Sequence, residues 1–251
     1  MQKVIGNANG KDHERFPWER PEVYDLTSVT VGPFWNRVYK LLQRLPKGSW
    51  VLEAGPGKGR FLLNAPAKRK WSAVCVDCDP VAVSAIRELA HERNWNDTAL
   101  LGDFSAELVL LDGYRISACV GMMFFHTISR ALQISVLQRM HECLPKGGRV
   151  YAGFLSDQSW RYKKYYQLHG ACPVGELVDL RHVMELDSVG VNRSLWFNFA
   201  NREYIYEMTY AAGFRRAERI DSTEGCGWHH LVAKYGDEAR YEPWLGVTFI
   251  K

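Results

Sequence analysis

Apolar residues along the chain fall into short continuous runs, each ended by an acid or a glycine and followed by apolar positions at helical spacing. Trp50-Val-Leu-Glu-Ala54 reads as a buried strand, Gly55-Pro-Gly-Lys-Gly59 as a turn, and Arg60-Phe-Leu-Leu63 as the helix after it. Trp71–Asp77 is a second such strand. Over 81–93, Ala82, Ile86, Leu89 and Ala90 share one helix face, with Asp79 suited to the N-cap and Pro80 to the first helical position. Residues 98–104 and Ile116–Gly121 read as strands three and four. Leu132, Val136, Met140 and Leu144 form a helical stripe that Pro145-Lys-Gly-Gly148 stops, and 149–154 returns as strand five. Asn201 is placed to cap a helix over 202–212 that ends at Gly213, and 216–221 with 230–235 have the character of a closing antiparallel pair. Strands apolar on both faces and separated by helices predict an α/β, doubly wound, mostly parallel sheet.

Composition narrows this to one domain. A chain of 251 residues, 47% of them apolar, can bury a full doubly wound core without division. The first residues lack an apolar core with a cleavage site, and no run approaches the roughly 18 apolar residues of a membrane span, so a cytoplasmic protein is expected. Cysteines stand at 75, 78, 119, 143, 172 and 226. Cys75 and Cys78 have no second pair at metal-site spacing, so buried free thiols are expected and no metal, with the role of Cys172 and Cys226 left open. The net charge of +4 is mild, and its basic clusters, 68–70 and 215–216, are short, which argues against a nucleic-acid partner.

The turn after the first strand carries the candidate chemistry. Glycine at 55, 57 and 59 permits positive φ and close approach of a ligand to the backbone, and the next helix aims its free N–H groups at the turn. A dinucleotide fingerprint would need its third glycine at position 60, which is arginine. Asp77, 24 residues after Glu53, has the spacing of an acid that accepts hydrogen bonds from ribose hydroxyls.

Glu53-Ala-Gly55-Pro-Gly57-Lys-Gly59 resembles motif I of the class I S-adenosylmethionine-dependent methyltransferases. The Leu-Pro-Lys-Gly-Gly turn before strand five and the order of elements over about 34–236 resemble the same family. The resemblance implies a seven-stranded sheet with helices on both faces, a closing antiparallel strand and a lid insertion after strand five. It implies S-adenosyl-L-methionine as cofactor and S-adenosyl-L-homocysteine as product. It assigns the cofactor to Glu53, Gly55, Gly57, Gly59, Asp77, Asp103, Phe104 and Gly121, with Asp103 facing the adenine amino group and Phe104 covering the ring. Many members carry Leu-His-His-Ile after strand four; Phe125-His126-Thr-Ile128 keeps the first histidine. His126 is therefore the catalytic candidate, orienting or deprotonating the acceptor, and a histidine capping the next helix is the alternative.

The acceptor is expected between a cap segment, 1–33, and the lid, 158–200, which flank a cofactor-binding half at 34–157. A C-terminal helix with closing strands (201–236) and a tail (237–251) follow. A connection of about 40 residues far exceeds the usual 2–6 and points to a functional segment. Tyr24, Trp160, Tyr162 and His169 are the substrate candidates, with His182 and His229 as further possible bases. The lid's aromatic residues favour a small organic acceptor, although the same rings would also staple the segment to the core. RNA or protein methylation, an NAD-dependent oxidoreductase and a non-catalytic cofactor-binding protein are the competing readings. Oligomeric state is not legible.

Overall fold

Successive residues of a strand point to opposite sides, and in this chain both sides are apolar. The computed structural model describes residues 33–57, 59–105, 111, 113–180, 196–224 and 243–251. Helix α1 (Pro33–Leu42) leads into β1 (Ser49–Ala54), α2 (Arg60–Leu63), β2 (Trp71–Asp77), α3 (Pro80–Glu92), β3 (Thr98–Leu101) and β4 (Ile116–Gly121). A 3-10 turn (Phe125–Thr127), α4 (Arg130–Cys143) and β5 (Arg149–Leu155) follow, then α5 (Trp160–His169), β6 (Leu177–Asp179) and β7 (Trp196–Asn198). Helix α6 (Arg202–Ala211), β8 (Arg216–Glu224) and β9 (Pro243–Ile250) complete the described elements.

The main sheet has seven strands in the order β3-β2-β1-β4-β5-β9-β8, parallel from β3 to β5 and antiparallel at β9. Leu52, Val74, Cys119 and Val150 join Val136, Met140, Ile205 and Met208 in a core on one side. Their neighbours Val51, Ala73, Val120 and Tyr151 join Val38, Leu42, Phe61 and Ile86 on the other. Each fully buried aliphatic residue contributes roughly 1.5–3 kcal/mol, so the continuous apolar strands are what permit helices on both faces. Asp79 accepts from the Val81 N–H as the N-cap of α3, and Asn201 does the same for Tyr204 in α6. No described helix is long and apolar enough to cross a membrane.

Two expectations change. The partner of β8 is β9, and 230–235 lies outside the described residues. The stretch read as a tail instead holds an inner strand, because Leu245, Val247 and Phe249 are buried between β5 and β8. The segment after β5 also has structure of its own. Ser159 caps α5 by accepting from Tyr162 N–H, Gly170 ends it at φ +72°, and β6 pairs antiparallel with β7. Trp160, Cys172, Val178, Leu180, Phe199 and Trp244 pack with Leu155 in a third core. The segment returns beside the end of β5, where the Ala200 N–H donates to the Leu155 carbonyl at 2.8 Å.

The 3-10 turn is held from beneath by one buried amide. Gln133 Nε2 donates to the carbonyls of Phe125 at 2.6 Å and Ile128 at 3.3 Å, while its Oε1 accepts from the Tyr204 hydroxyl at 2.7 Å. A buried polar group left without its partner costs about 1–3 kcal/mol. Gln133→Leu is therefore expected to lower unfolding free energy by about 2–4 kcal/mol and Tyr204→Phe by about 1–2 kcal/mol. Urea denaturation compares the two; equal stability of Gln133→Leu and wild type would refute this role.

Candidate active site

The three glycines of the turn all have positive φ, at +61°, +53° and +80° for Gly55, Gly57 and Gly59. Their surroundings differ. A Cβ on Gly55 would lie 2.2 Å from the Phe124 ring, and one on Gly59 would lie 2.5 Å from Ile86 Cδ1. At Gly57 an added Cβ meets nothing within 4 Å, so here the backbone itself borders open space. The Gly57 N–H donates to Asp77 Oδ2 at 3.2 Å, and the Asp79 N–H donates to Asp77 Oδ1 at 3.0 Å. Burial raises the Asp77 carboxyl above its usual value, opposed by these backbone N–H groups. The Gly102 N–H donates to the Asp77 carbonyl at 2.9 Å, which brings the end of β3 beside the end of β2. Asp103 follows there and closes its own turn by accepting from the Ser105 N–H and hydroxyl at 2.9 and 2.6 Å. An open cradle with backbone N–H groups and acids at successive strand ends fits a nucleoside with ribose hydroxyls.

Glu53 lies below this cradle, 4% exposed, and accepts a long contact of 3.5 Å from the Cys75 thiol. Burial pushes its carboxyl up to about 8; the Cys75 contact opposes this, and the nearby Asp97 and Asp77 add to it. Asp97 is itself ion-paired to Arg69 and accepts from the Ala73 N–H at 2.7 Å. Glu53 therefore carries a proton near neutrality.

The loop after β4 crosses the glycine turn. Phe124 covers Gly55, and Gly121 leaves room for the Phe125 ring, which would stand 2.6 Å from a Cβ. Gly121 thus serves packing of the loop. Phe104 belongs to the buried core, which accounts for its side chain without an adenine ring. Arg60, at the start of α2, donates from Nη1 to Met123 Sδ at 3.0 Å, joining turn and loop. His126 follows, 8% exposed, with its ring 5.2 Å from Phe197 and edge-on to Trp244 at 4.9 Å. The capping alternative is removed, because Ser129 is the N-cap of α4. Burial, then the Arg161 and Arg60 guanidiniums, lower the His126 pKa to about 3. This corrects the basis for His126 as a proton acceptor: a group neutral throughout the physiological range has little basicity to offer, whereas its ring nitrogens still orient a partner.

The lid candidates separate. Trp160 is buried in the third core beside Arg161, whose guanidinium lies 4.9 Å from its ring and 5.6 Å from that of Phe197. The Tyr162 hydroxyl donates to the Cys172 carbonyl at 3.1 Å, a staple within the segment. His169 is exposed at the end of α5 against Tyr165, so it does not line an enclosed site. Tyr24, His182, His229 and Cys226 lie outside the described residues. The five described cysteines are free thiols, but Cys78 is exposed and Cys143 only partly covered, contrary to the expectation of burial. Arg60, Arg161 and Trp244 stand near His126 without having been singled out in the sequence, whereas Phe197 belongs to the aromatic segment expected beside the acceptor.

Glu53 and His126 pull stability in opposite directions with pH. The raised Glu53 pKa adds stability in full below about pH 4.5, and this is lost as pH rises through about 8. The lowered His126 pKa adds stability above about pH 6.5, lost as pH falls toward 3. Between pH 7 and 8 only the Glu53 effect changes. Wild type should there lose about 1 kcal/mol of unfolding free energy more than Glu53→Gln. Parallel pH profiles of the two proteins would show an ionised Glu53.

Independent comparisons agree with this geometry. Residues 51–148 match the model of a methyltransferase domain family. No curated protein sequence matches the chain significantly. A SAM-dependent methyltransferase structure from Methanosarcina mazei aligns with TM-score 0.61 at 12% identity, over 82% of this chain and 94% of that one. A structure described for conversion of a disulfide bond into a thioacetal group during echinomycin biosynthesis aligns with TM-score 0.60 at 16% identity, covering 91% and 84%. The mycolic acid cyclopropane synthase CmaA1, solved with SAH and CTAB, aligns with TM-score 0.57 at 14% identity, covering 86% and 84%. The domain match spans β1 to the turn before β5, so residues 51–148 carry a methyltransferase domain, and the sheet beyond them has the same fold as these solved structures.

Proposed function

We propose that the chain methylates an O, N or S atom of a small organic acceptor held between the cofactor cradle and the segment after β5. The observation that carries this reading is the packing of Phe197, Trp244 and Arg161 around His126, which surrounds the end of β4 with side chains. A macromolecular acceptor would need that end of the sheet open. Glu53, Gly55, Gly57, Gly59, Asp77 and Asp103 would hold the cofactor, which when bound would supply an electrophilic methyl group. The protein's task is to align the acceptor and exclude water. His126, held neutral, orients the acceptor through a ring nitrogen.

The test is methyl-labelled cofactor incubated with the protein and separate pools of metabolites, RNA and protein. Label is expected in the low-molecular-mass pool; label in RNA or protein would overturn the small acceptor. Asp77→Ala and Gly57→Val should each weaken S-adenosylhomocysteine binding about 10- to 100-fold by calorimetry, since hydrogen bonds to charged groups contribute about 1.5–3 kcal/mol. Wild-type affinity in both variants would displace the cofactor site. His126→Asn should slow turnover about 5- to 30-fold, the loss of one orienting hydrogen bond, against the 10²-fold or more expected for a general base. The pH dependence of kcat should show no limb from His126 between pH 6 and 8, and a limb there that vanishes in His126→Asn would restore the base.

A further inference from the structure

Glu53 stands in an unusual place for an acid. It follows Val51 by two residues on β1, so its side chain projects into the core that Val51 shares with Phe61 and Ile86. Cys75 is its register partner on β2, and the thiol at 3.5 Å is a weak donor for a carboxylate. Among the described residues, the titratable groups that act on Glu53 are Cys75 and Asp77 of β2, Asp97 before β3, Arg69 before β2 and Tyr39 of α1. Burial keeps the Cys75 thiol and the Tyr39 phenol protonated, and the Tyr39 hydroxyl donates to the Phe61 carbonyl at 2.7 Å. Arg69 is the one cation of this set. It is ion-paired to Asp97, with its guanidinium 4.7 and 4.4 Å from the rings of Trp71 and Trp95. Two further carboxyls, Glu53 and Asp77, therefore share the end of the sheet, and Asp77 takes the backbone N–H groups of Gly57 and Asp79. A proton on Glu53 relieves the excess of acids, and so would a cation entering the open space beside Gly57.

Resting on the proposed cofactor site, we infer that Glu53 gives up its proton to solvent when a positively charged nucleoside enters the cradle, so that this buried acid selects for the charge of the ligand. The carboxyl O–H bond breaks, the proton passes to water, and the carboxylate left behind attracts the ligand's positive charge. In an interior of low dielectric that attraction needs no direct contact. Binding then tightens as pH rises toward about 8, because less work is spent on removing the proton. A neutral nucleoside offers no such compensation and leaves the proton in place. Two groups of S-adenosylmethionine carry the required charge, the sulfonium and the α-ammonium, and S-adenosylhomocysteine keeps only the second.

Calorimetry of wild type and Glu53→Gln with S-adenosylmethionine, S-adenosylhomocysteine and 5′-methylthioadenosine, repeated in buffers of different ionisation enthalpy, counts the protons exchanged. With S-adenosylmethionine at pH 7, wild type should release about one proton more than Glu53→Gln. Its affinity should rise about 10-fold or more from about pH 6.5 to 8.5, relative to the variant over the same range. Infrared difference spectra read the proton in wild type itself, whether or not the variant binds. The protonated-carboxyl C=O band, assigned by its absence from unliganded Glu53→Gln, should vanish when S-adenosylmethionine binds and persist with 5′-methylthioadenosine. Equal release by S-adenosylmethionine and S-adenosylhomocysteine would assign the trigger to the ammonium, and release by S-adenosylmethionine alone to the sulfonium. The inference is overturned by a band that survives S-adenosylmethionine binding, by its absence from unliganded wild type, or by the same release with 5′-methylthioadenosine. Equal proton counts in wild type and a variant that binds would overturn it too. Failure of wild type to bind either adenosyl compound would strike the cofactor reading instead, and is measured first.

Discussion

Close approach of two loops at Gly55 governs the geometry of the site. The ring of Phe124 occupies the volume that any side chain at position 55 would need, so the loop after β4 rests directly on the backbone of the turn after β1. That contact couples the cradle to the His126 loop. Met123 meets Arg60, Phe125 fills the space left by Gly121, and His126 is carried to the lid as a result. Gln133 supports the same loop from below with a single amide that satisfies two carbonyls and a hydroxyl. Close-packed interiors transmit such displacements rather than absorbing them, so a shift at residue 55 reaches residue 126.

Burial decides the charge states around this contact. Glu53 and His126 are both groups that water would leave titrating within a few units of neutrality, and both are held neutral by desolvation. Around them stand the Arg60 and Arg161 guanidiniums and the Asp77 carboxyl, which accepts from the Gly57 and Asp79 N–H groups. A neutral imidazole in an enclosed site reorganises little when a cationic ligand arrives, which favours preorganised positioning over proton transfer.

The cradle is legible in sequence because its demands are local: positive φ needs glycine, and strand-end acids recur at fixed intervals. The helix caps at Asp79 and Asn201 are legible for the same reason. Residues acting across the chain escape. Arg161 sits in an aromatic, lysine-rich helix whose pattern looks solvated, and only the tertiary fold shows that its face is buried. Trp244 belongs to a run that looks like a tail until its strand is seen paired on both edges. His126 is correctly located by its place after β4, but its protonation depends on two arginines 66 and 35 residues away in sequence.

The position of β9 bears on how the chain assembles. It lies between β5 and β8 although it is the last of the three in sequence, so β8 has no sheet to join until residues near 250 have been made. During synthesis the parallel half from β3 to β5 is complete about a hundred residues earlier, with the edge of β5 exposed. Contacts of such long sequence separation are slow to form, and an unpaired inner edge is a template for association with other chains. Trp244 also contacts His126, so the step that closes the sheet is the step that finishes the surroundings of His126. A nascent chain arrested short of β9 would hold the glycine turn yet lack one wall of the pocket proposed for the acceptor.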